Sequence, residues 1–193
     1  MKTLPVVLAS TSPYRKALLD KLHIPFTTIS PICDEKLVEG EPPKERALRL
    51  AIAKAKGCIV TDSSLIVGSD QVCSIQGEIL RKPGNKEKAI VQLLKQSGKT
   101  VTFYTGLCVY NTSTHQMRAV VDEFHVRFRD LDREEIKRYV TLDTPYQCAG
   151  SFKCEGLGIS LFQELSGSDP NSLIGLPLIQ LCSLLREQGY SIP

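Results

Sequence analysis

The stretch Leu4-Pro5-Val6-Val7-Leu8-Ala9-Ser10-Thr11-Ser12-Pro13-Tyr14-Arg15-Lys16-Ala17-Leu18-Leu19-Asp20-Lys21-Leu22 decides the fold class. Leu4–Ala9 is a short apolar run, the pattern of a strand buried on both faces. Ser12 then reads as a helix N-cap with Pro13 at the first helical position, and Leu18, Leu19 and Leu22 supply an apolar stripe. A buried strand feeding directly into a helix begins an α/β chain. Met1-Lys2-Thr3 ahead of the run superficially suggests a secretory leader, but Pro5 breaks the stretch and Ser10 ends it. The expected location is therefore cytoplasmic.

Working outward, Phe26–Ile29 reads as a second strand, followed by the acidic pair Asp34-Glu35. Pro42-Pro43 opens a helix to about Gly57, with Leu48, Ala51, Ile52 and Ala55 at helical spacing. Leu65–Asp70 is a further buried strand, expected to end in the polar cluster Ser69-Asp70-Gln71. Val72–Ile75 and Glu78–Leu80 suit a hairpin around Gln76-Gly77. Asn85 caps a helix to about Gln96, stopped by Ser97-Gly98. Val101–Val109 and Ala119–Phe128 read as long antiparallel strands, the second alternating Phe124, Val126 and Phe128 inward with His125, Arg127 and Arg129 outward. The lone His125 reads as solvated. Asp132-Arg133-Glu134-Glu135 begins a helix to about Thr141, a loop leads to a strand near Ile159–Phe162, and Pro177–Gln188 is a helix striped by Leu178, Leu181, Cys182 and Leu185. The expected fold is α/β: a mixed, partly antiparallel central sheet with helices on both sides, as one compact domain or two small lobes sharing a cleft.

The 193 residues are 42% hydrophobic and 23% charged, which excludes a disordered tail, a collagen-like repeat and a coiled coil. A net charge of 24 − 21 = +3 gives no case for a nucleic-acid polymer as partner, and no apolar run is long enough to span a membrane. The seven cysteines are scattered, without a CxxC, and the three histidines lack metal spacing, so zinc sites and disulfide frameworks fail. Reduced, mostly buried thiols are expected. Scarce histidine and the absence of GxSxG argue against a Ser-His-Asp hydrolase.

Three polar clusters sit where α/β proteins build sites. Ser10-Thr11-Ser12-Pro13-Tyr14-Arg15 offers hydroxyls, helix N-terminal amides and an arginine, a set suited to phosphate and equally to an ordinary capped turn. Asp70 can bind a divalent cation or take a proton from water, or simply close a turn. If Glu35 converges on Asp70, the two supply the hard oxygen ligands of a phosphate-bridging cation, with Lys54 and Lys82 neutralising phosphate oxygens. Scarce histidine favours Mg²⁺ or Mn²⁺. The third cluster, Cys148–Gly156, combines small residues with single charges and suits the close approach of a ligand.

These residues resemble the Maf-like nucleoside triphosphate pyrophosphatases nearly end to end. The resemblance is carried by Leu8–Arg15, Asp34-Glu35, Arg49–Ala55, Gly68–Val72, Arg81-Lys82-Pro83, Thr105-Gly106, Ala149–Phe152 and Gly175–Leu178. It implies a single domain over residues 1–193 with two lobes around a nucleotide cleft, a divalent metal cofactor, a homodimer, and cleavage of a nucleoside triphosphate to a monophosphate and pyrophosphate. It implies Asp70 as proton acceptor, Ser10, Arg15, Lys54 and Lys82 as phosphate-handling residues, and Glu35 with Asp70 as metal-linked carboxylates. Tyr14, Gln71 and Glu155 depart from the thymidine/uridine-triphosphate branch and resemble the 7-methyl-GTP branch, and all three are expected to read the base and set substrate specificity. A cationic methylated guanine favours stacking on an aromatic face such as Tyr14, and a carboxylate such as Glu155 accepts both donors of the guanine edge. A nucleotide-binding regulator of cell division, or a pyrophosphatase for other modified nucleotides, are the alternatives.

Overall fold

The computed structural model describes residues 4–192. The element order is β1 (Val6–Ala9), α1 (Pro13–Asp20), β2 (Phe26–Ile29), α2 (Pro43–Lys56), β3 (Leu65–Ile75), β4 (Glu78–Leu80), α3 (Lys86–Gln96), β5 (Thr100–Asn111), β6 (Met117–Phe128), α4 (Arg133–Asp143), β7 (Phe162–Gly167), α5 (Pro170–Ile174) and α6 (Leu178–Glu187). Short 3₁₀ turns lie at Ala149–Ser151 and Leu157–Leu161. The strands form one mixed sheet in the order β2-β1-β3-β5-β6-β7, with β4 paired to β3. β1 is parallel to β2 and β3, whereas β3–β4 and β6–β7 are antiparallel. The bonds Asn111 N to Gln116 O and Phe128 N to Lys99 O close the β5–β6 hairpin at both ends. The mixed α/β expectation therefore holds. No helix among the described residues is long and apolar enough to cross a membrane.

The chain divides into two compact units: residues through Gln71, Thr105–Asp122 and Asp169 onward, and Val72–Tyr104 with Glu123–Ser168. In the first, the period of two along β1 sorts the core. Val6 and Leu8 pack with Leu18 and Leu19 of α1 and with Leu181 and Leu185 of α6, while Val7 and Ala9 pack with Ala51 and Ala55 of α2. Helices thus cover both faces of the parallel strands. The second unit is centred on Phe103, Phe128, Phe152 and Phe162, which meet edge to face at centroid separations of 4.9–5.5 Å.

Local signals explain most boundaries. The Ser12, Asn85 and Asp132 side chains accept from the backbone N–H groups of Arg15, Lys88 and Glu135, capping α1, α3 and α4 as the sequence suggests. Gln76 and Gly77 take positive φ values of 50° and 84°, as a two-residue hairpin turn requires.

Several expectations need correction. β3 does not end at Asp70 but runs unbroken to Ile75, so Ser69-Asp70-Gln71 is a polar triad inside a ladder. Ile159–Leu161 belongs to a 3₁₀ turn and the strand begins at Phe162, with exposed polar residues that hide its period. Along α2 the buried face is Ala47, Leu50, Ala51, Lys54 and Ala55, with Leu48 and Ile52 only half-buried. Helix α1 stops at Asp20, and Leu184 rather than Cys182 completes the buried stripe of α6. All seven cysteines are free, but only Cys58, Cys73 and Cys108 are buried.

Candidate active site

Two glycines bring α2 down onto the sheet. A Cβ on Gly68 of β3 would lie 2.3 Å from the Ala51 carbonyl oxygen, and one on Gly106 of β5 would lie 2.2 Å from that of Ala47. Only hydrogen fits there, so the helix backbone rests directly on both strands. Ile66, Gly68 and Asp70 alternate onto this α2 face, and the approach brings Lys54 within reach of Asp70.

Lys54 Nζ donates to Asp70 Oδ1 at 2.6 Å and lies 3.1 Å from Glu35 Oε1. Lys54 and Asp70 are both buried, with side chains 11% and 12% exposed, whereas the Glu35 side chain is 56% exposed. One desolvated cation therefore joins two carboxylates brought from β3 and from the loop after β2. Asp34, the other half of the acidic pair, turns instead to the Lys36 backbone N–H at 2.9 Å. Among the described residues no three His, Cys, Asp or Glu side chains gather as a metal-holding group. Two carboxylates nevertheless fit a hard divalent cation of the kind bound through one or two carboxylates plus substrate phosphates.

Arg15 lies within electrostatic reach of Asp70 and Glu35. Burial pulls its guanidinium below its ordinary value, and the two carboxylates oppose that shift. Its Nε donates to the Gly175 carbonyl at 2.8 Å, and Ser69 Oγ reaches the same carbonyl at 2.9 Å. Gly175 has φ +122°, and an added Cβ would sit 3.4 Å from Arg15 Nε. Ser10 is buried just past the end of β1, where its Oγ accepts from Ser12 N at 3.1 Å. With their oxygens accepting backbone bonds, the Ser10 and Ser12 hydroxyls still have O–H hydrogens to donate. Tyr14 is exposed.

The strand period separates Gln71 from Asp70. Gln71 shares a face with Ser69, and its Nε2 donates to the backbone carbonyls of Ser172 at 2.7 Å and Leu173 at 3.1 Å. Its amide nitrogen fastens α5 in place. The sequence marks Ser69 and Gln71 as polar but not what they bind, because α5 spans only Pro170–Ile174 and carries no period.

Lys82 and Glu155 belong to the second unit. Both are exposed, and both act electrostatically on Cys148, whose thiol is raised chiefly by burial. Cys154 Sγ donates to Glu155 Oε2 at 3.4 Å, and burial, with Glu155 beside it, pushes that thiol up to about 12. Lys153 ties the segment to α4: its backbone N–H donates to Tyr139 Oη at 3.0 Å and its Nζ to the Asp143 carbonyl.

A family model described as Maf-like protein matches residues 5–188. The chain is similar to the 7-methyl-GTP pyrophosphatase of Vibrio vulnificus (strain CMCP6), at 55% identity over 100% of this chain and 99% of that protein. It is 52% identical to the 7-methyl-GTP pyrophosphatase of Aliivibrio fischeri (strain ATCC 700601 / ES114), covering 97% of each chain. Among solved structures, the Staphylococcus aureus Ham1 protein is similar at TM-score 0.47 and 15% identity, over 65% of this chain and 72% of that one.

Proposed function

The chain belongs to the Maf-like protein family, and from that membership we propose that it hydrolyses 7-methyl-GTP to 7-methyl-GMP and pyrophosphate. The observation that carries the reading is the Asp70–Lys54–Glu35 constellation in a chain 55% identical, end to end, to a 7-methyl-GTP pyrophosphatase.

Asp70 takes a proton from water. The resulting hydroxide attacks the α-phosphorus, the bridging α–β P–O bond breaks, and pyrophosphate leaves. Lys54 holds the Asp70 carboxylate at Oδ1, so the base is oriented before substrate arrives. Lys54 and Arg15 stabilise the negative charge that develops on the phosphate oxygens, in a setting where burial strengthens each interaction. Ser10 donates its hydroxyl proton to a phosphate oxygen. Asp70 and Glu35 are the residues that would hold a divalent cation. When bound, the cation supplies Lewis-acid neutralisation of the triphosphate.

Tyr14 is the stacking face for the cationic base, and its exposed ring suits that role. Gln71 serves through α5, given the commitment of its amide nitrogen. For Lys82 as a phosphate ligand and Glu155 as the guanine-edge acceptor, the proposal rests on family membership and side-chain chemistry. The family match runs over both units, which supports one functional domain across residues 1–193. The free thiols suit the reducing cytoplasm, and the homodimer implied by the resemblance is tested by sedimentation.

The deciding experiment is a pyrophosphate-release assay over 7-methyl-GTP, GTP, dTTP, UTP and other modified purine triphosphates, with Mg²⁺ or Mn²⁺ and with chelator. Turnover of 7-methyl-GTP in preference to the rest, abolished by chelator, is expected. Binding without release would favour a regulator, and preference for another nucleotide would overturn the substrate assignment.

A further inference from the structure

The loop that carries Glu35 is strapped to α2 by residues that the chemistry above does not use. Arg46 Nη2 donates to the backbone carbonyl of Glu35 at 3.0 Å, and Nη1 reaches the Lys36 carbonyl at 3.4 Å. Arg49 Nη2 also reaches that carbonyl, at 3.3 Å. Glu41 closes the strap. Its carboxylate accepts from Arg49 Nε at 2.5 Å and Nη2 at 2.7 Å, and stands 3.6 Å from Arg46 Nη1. The Glu41 and Arg46 side chains are 9% and 13% exposed, unlike a solvated surface pair of small consequence.

Resting on the reading of Glu35 as a carboxylate of the hydrolytic site, we propose that Glu41, Arg46 and Arg49 are positioning residues. They hold Glu35 in register with Lys54 and Asp70. Glu35 sits on a loop without regular structure, and its side chain is more than half exposed. Left to itself, such a carboxylate samples many positions, and ordering it costs conformational entropy. Arg46 removes that freedom at the carbonyl of Glu35 itself, while the Glu41–Arg49 fork anchors the far end of the loop. The fork needs two parallel donors in one plane, which a lysine cannot offer. Precise placement of a reacting group depends on such outer support.

The test is a set of double-mutant cycles. Glu41→Gln and Arg49→Lys are each made alone and in a Glu35→Gln background, and kcat, KM for 7-methyl-GTP and melting midpoint are recorded. Each strap substitution should lower kcat by about tenfold to a hundredfold and move KM by no more than about threefold. In the Glu35→Gln background the same substitutions should cause no further loss. If either fails to fold, Arg46→Lys replaces it, since that change spares the Glu41–Arg49 fork and removes the bond to the Glu35 carbonyl. Losses that add in the Glu35→Gln background, or a normal kcat in the strap variants, overturn the proposal. Full activity in Glu35→Gln overturns both the strap and the role given to Glu35. Loss in Glu35→Gln with unimpaired strap variants overturns the strap alone.

Discussion

Replacing Lys54 with methionine removes one charge while keeping an unbranched side chain of similar length. The pair it breaks is buried at both ends, with Lys54 and Asp70 side chains 11% and 12% exposed and 2.6 Å apart. Removing one partner leaves Asp70 charged and desolvated, which costs about 3–5 kcal/mol. The contact with Glu35 adds less than about 1 kcal/mol, because that carboxylate is 56% exposed and screened by solvent. At roughly 2–4 °C per kcal/mol for a chain of this size, the melting midpoint should fall by about 6–20 °C. Circular dichroism melts of wild type, Lys54→Met, Asp70→Asn and the double variant, at neutral pH, measure this. The double variant should recover much of the loss, since it removes the buried charge together with its partner. A Lys54→Met midpoint within about 3 °C of wild type would refute the reasoning, as would a double variant as unstable as the sum of the singles.

The Arg49 hydrogen bond holds the Glu41 carboxyl below its ordinary value of 4.5, against the opposing effect of burial. A depressed folded pKa stabilises above the unfolded value and loses that stabilisation as pH falls through the folded one. The melting gap between wild type and Glu41→Gln should thus be steady at about pH 6–8 and close below about pH 4.5; a gap that widens in acid contradicts the assignment. Gly68→Ala forces a Cβ to within 2.3 Å of a helix carbonyl and should cost about 1–3 kcal/mol or more, read from urea unfolding; an unchanged midpoint means α2 can lift freely. Glu155→Gln should erode the preference for 7-methyl-GTP over GTP by about tenfold or more, measured as the ratio of kcat/KM values, and an unchanged ratio removes Glu155 from base reading.

What the sequence disclosed follows the range of its signals. Ser12, Asn85 and Asp132 act within three residues of themselves, so each cap could be read locally. The alternation of Phe124, Val126 and Phe128 is equally local, and those residues are buried as expected. Asp70 was picked out for its residue type, yet its place was misread because three polar residues in an apolar run look like an ending. In β3 each of the three has a partner waiting: Gly106 and Gly175 carbonyls for Ser69, Lys54 for Asp70, and α5 for Gln71. Lys54 could be read as a phosphate-neutralising lysine, but its burial against Asp70 shows only once Gly68 and Gly106 are seen to draw α2 onto the sheet. Glu41 and Arg46 escaped notice, and Arg49 entered only within the family-like segment, because the two arginines reach backbone carbonyls of a patternless loop and Glu41 pairs with them.

In the proposed reaction Asp70 removes the proton from the attacking water, and every other role in the site serves that step. It is tested by Asp70→Asn, measured for single-turnover pyrophosphate release from 7-methyl-GTP with Mg²⁺ or Mn²⁺ and, in parallel, for nucleotide affinity. Turnover should drop by about a hundredfold or more while affinity changes by far less. Near-normal turnover in Asp70→Asn would contradict it.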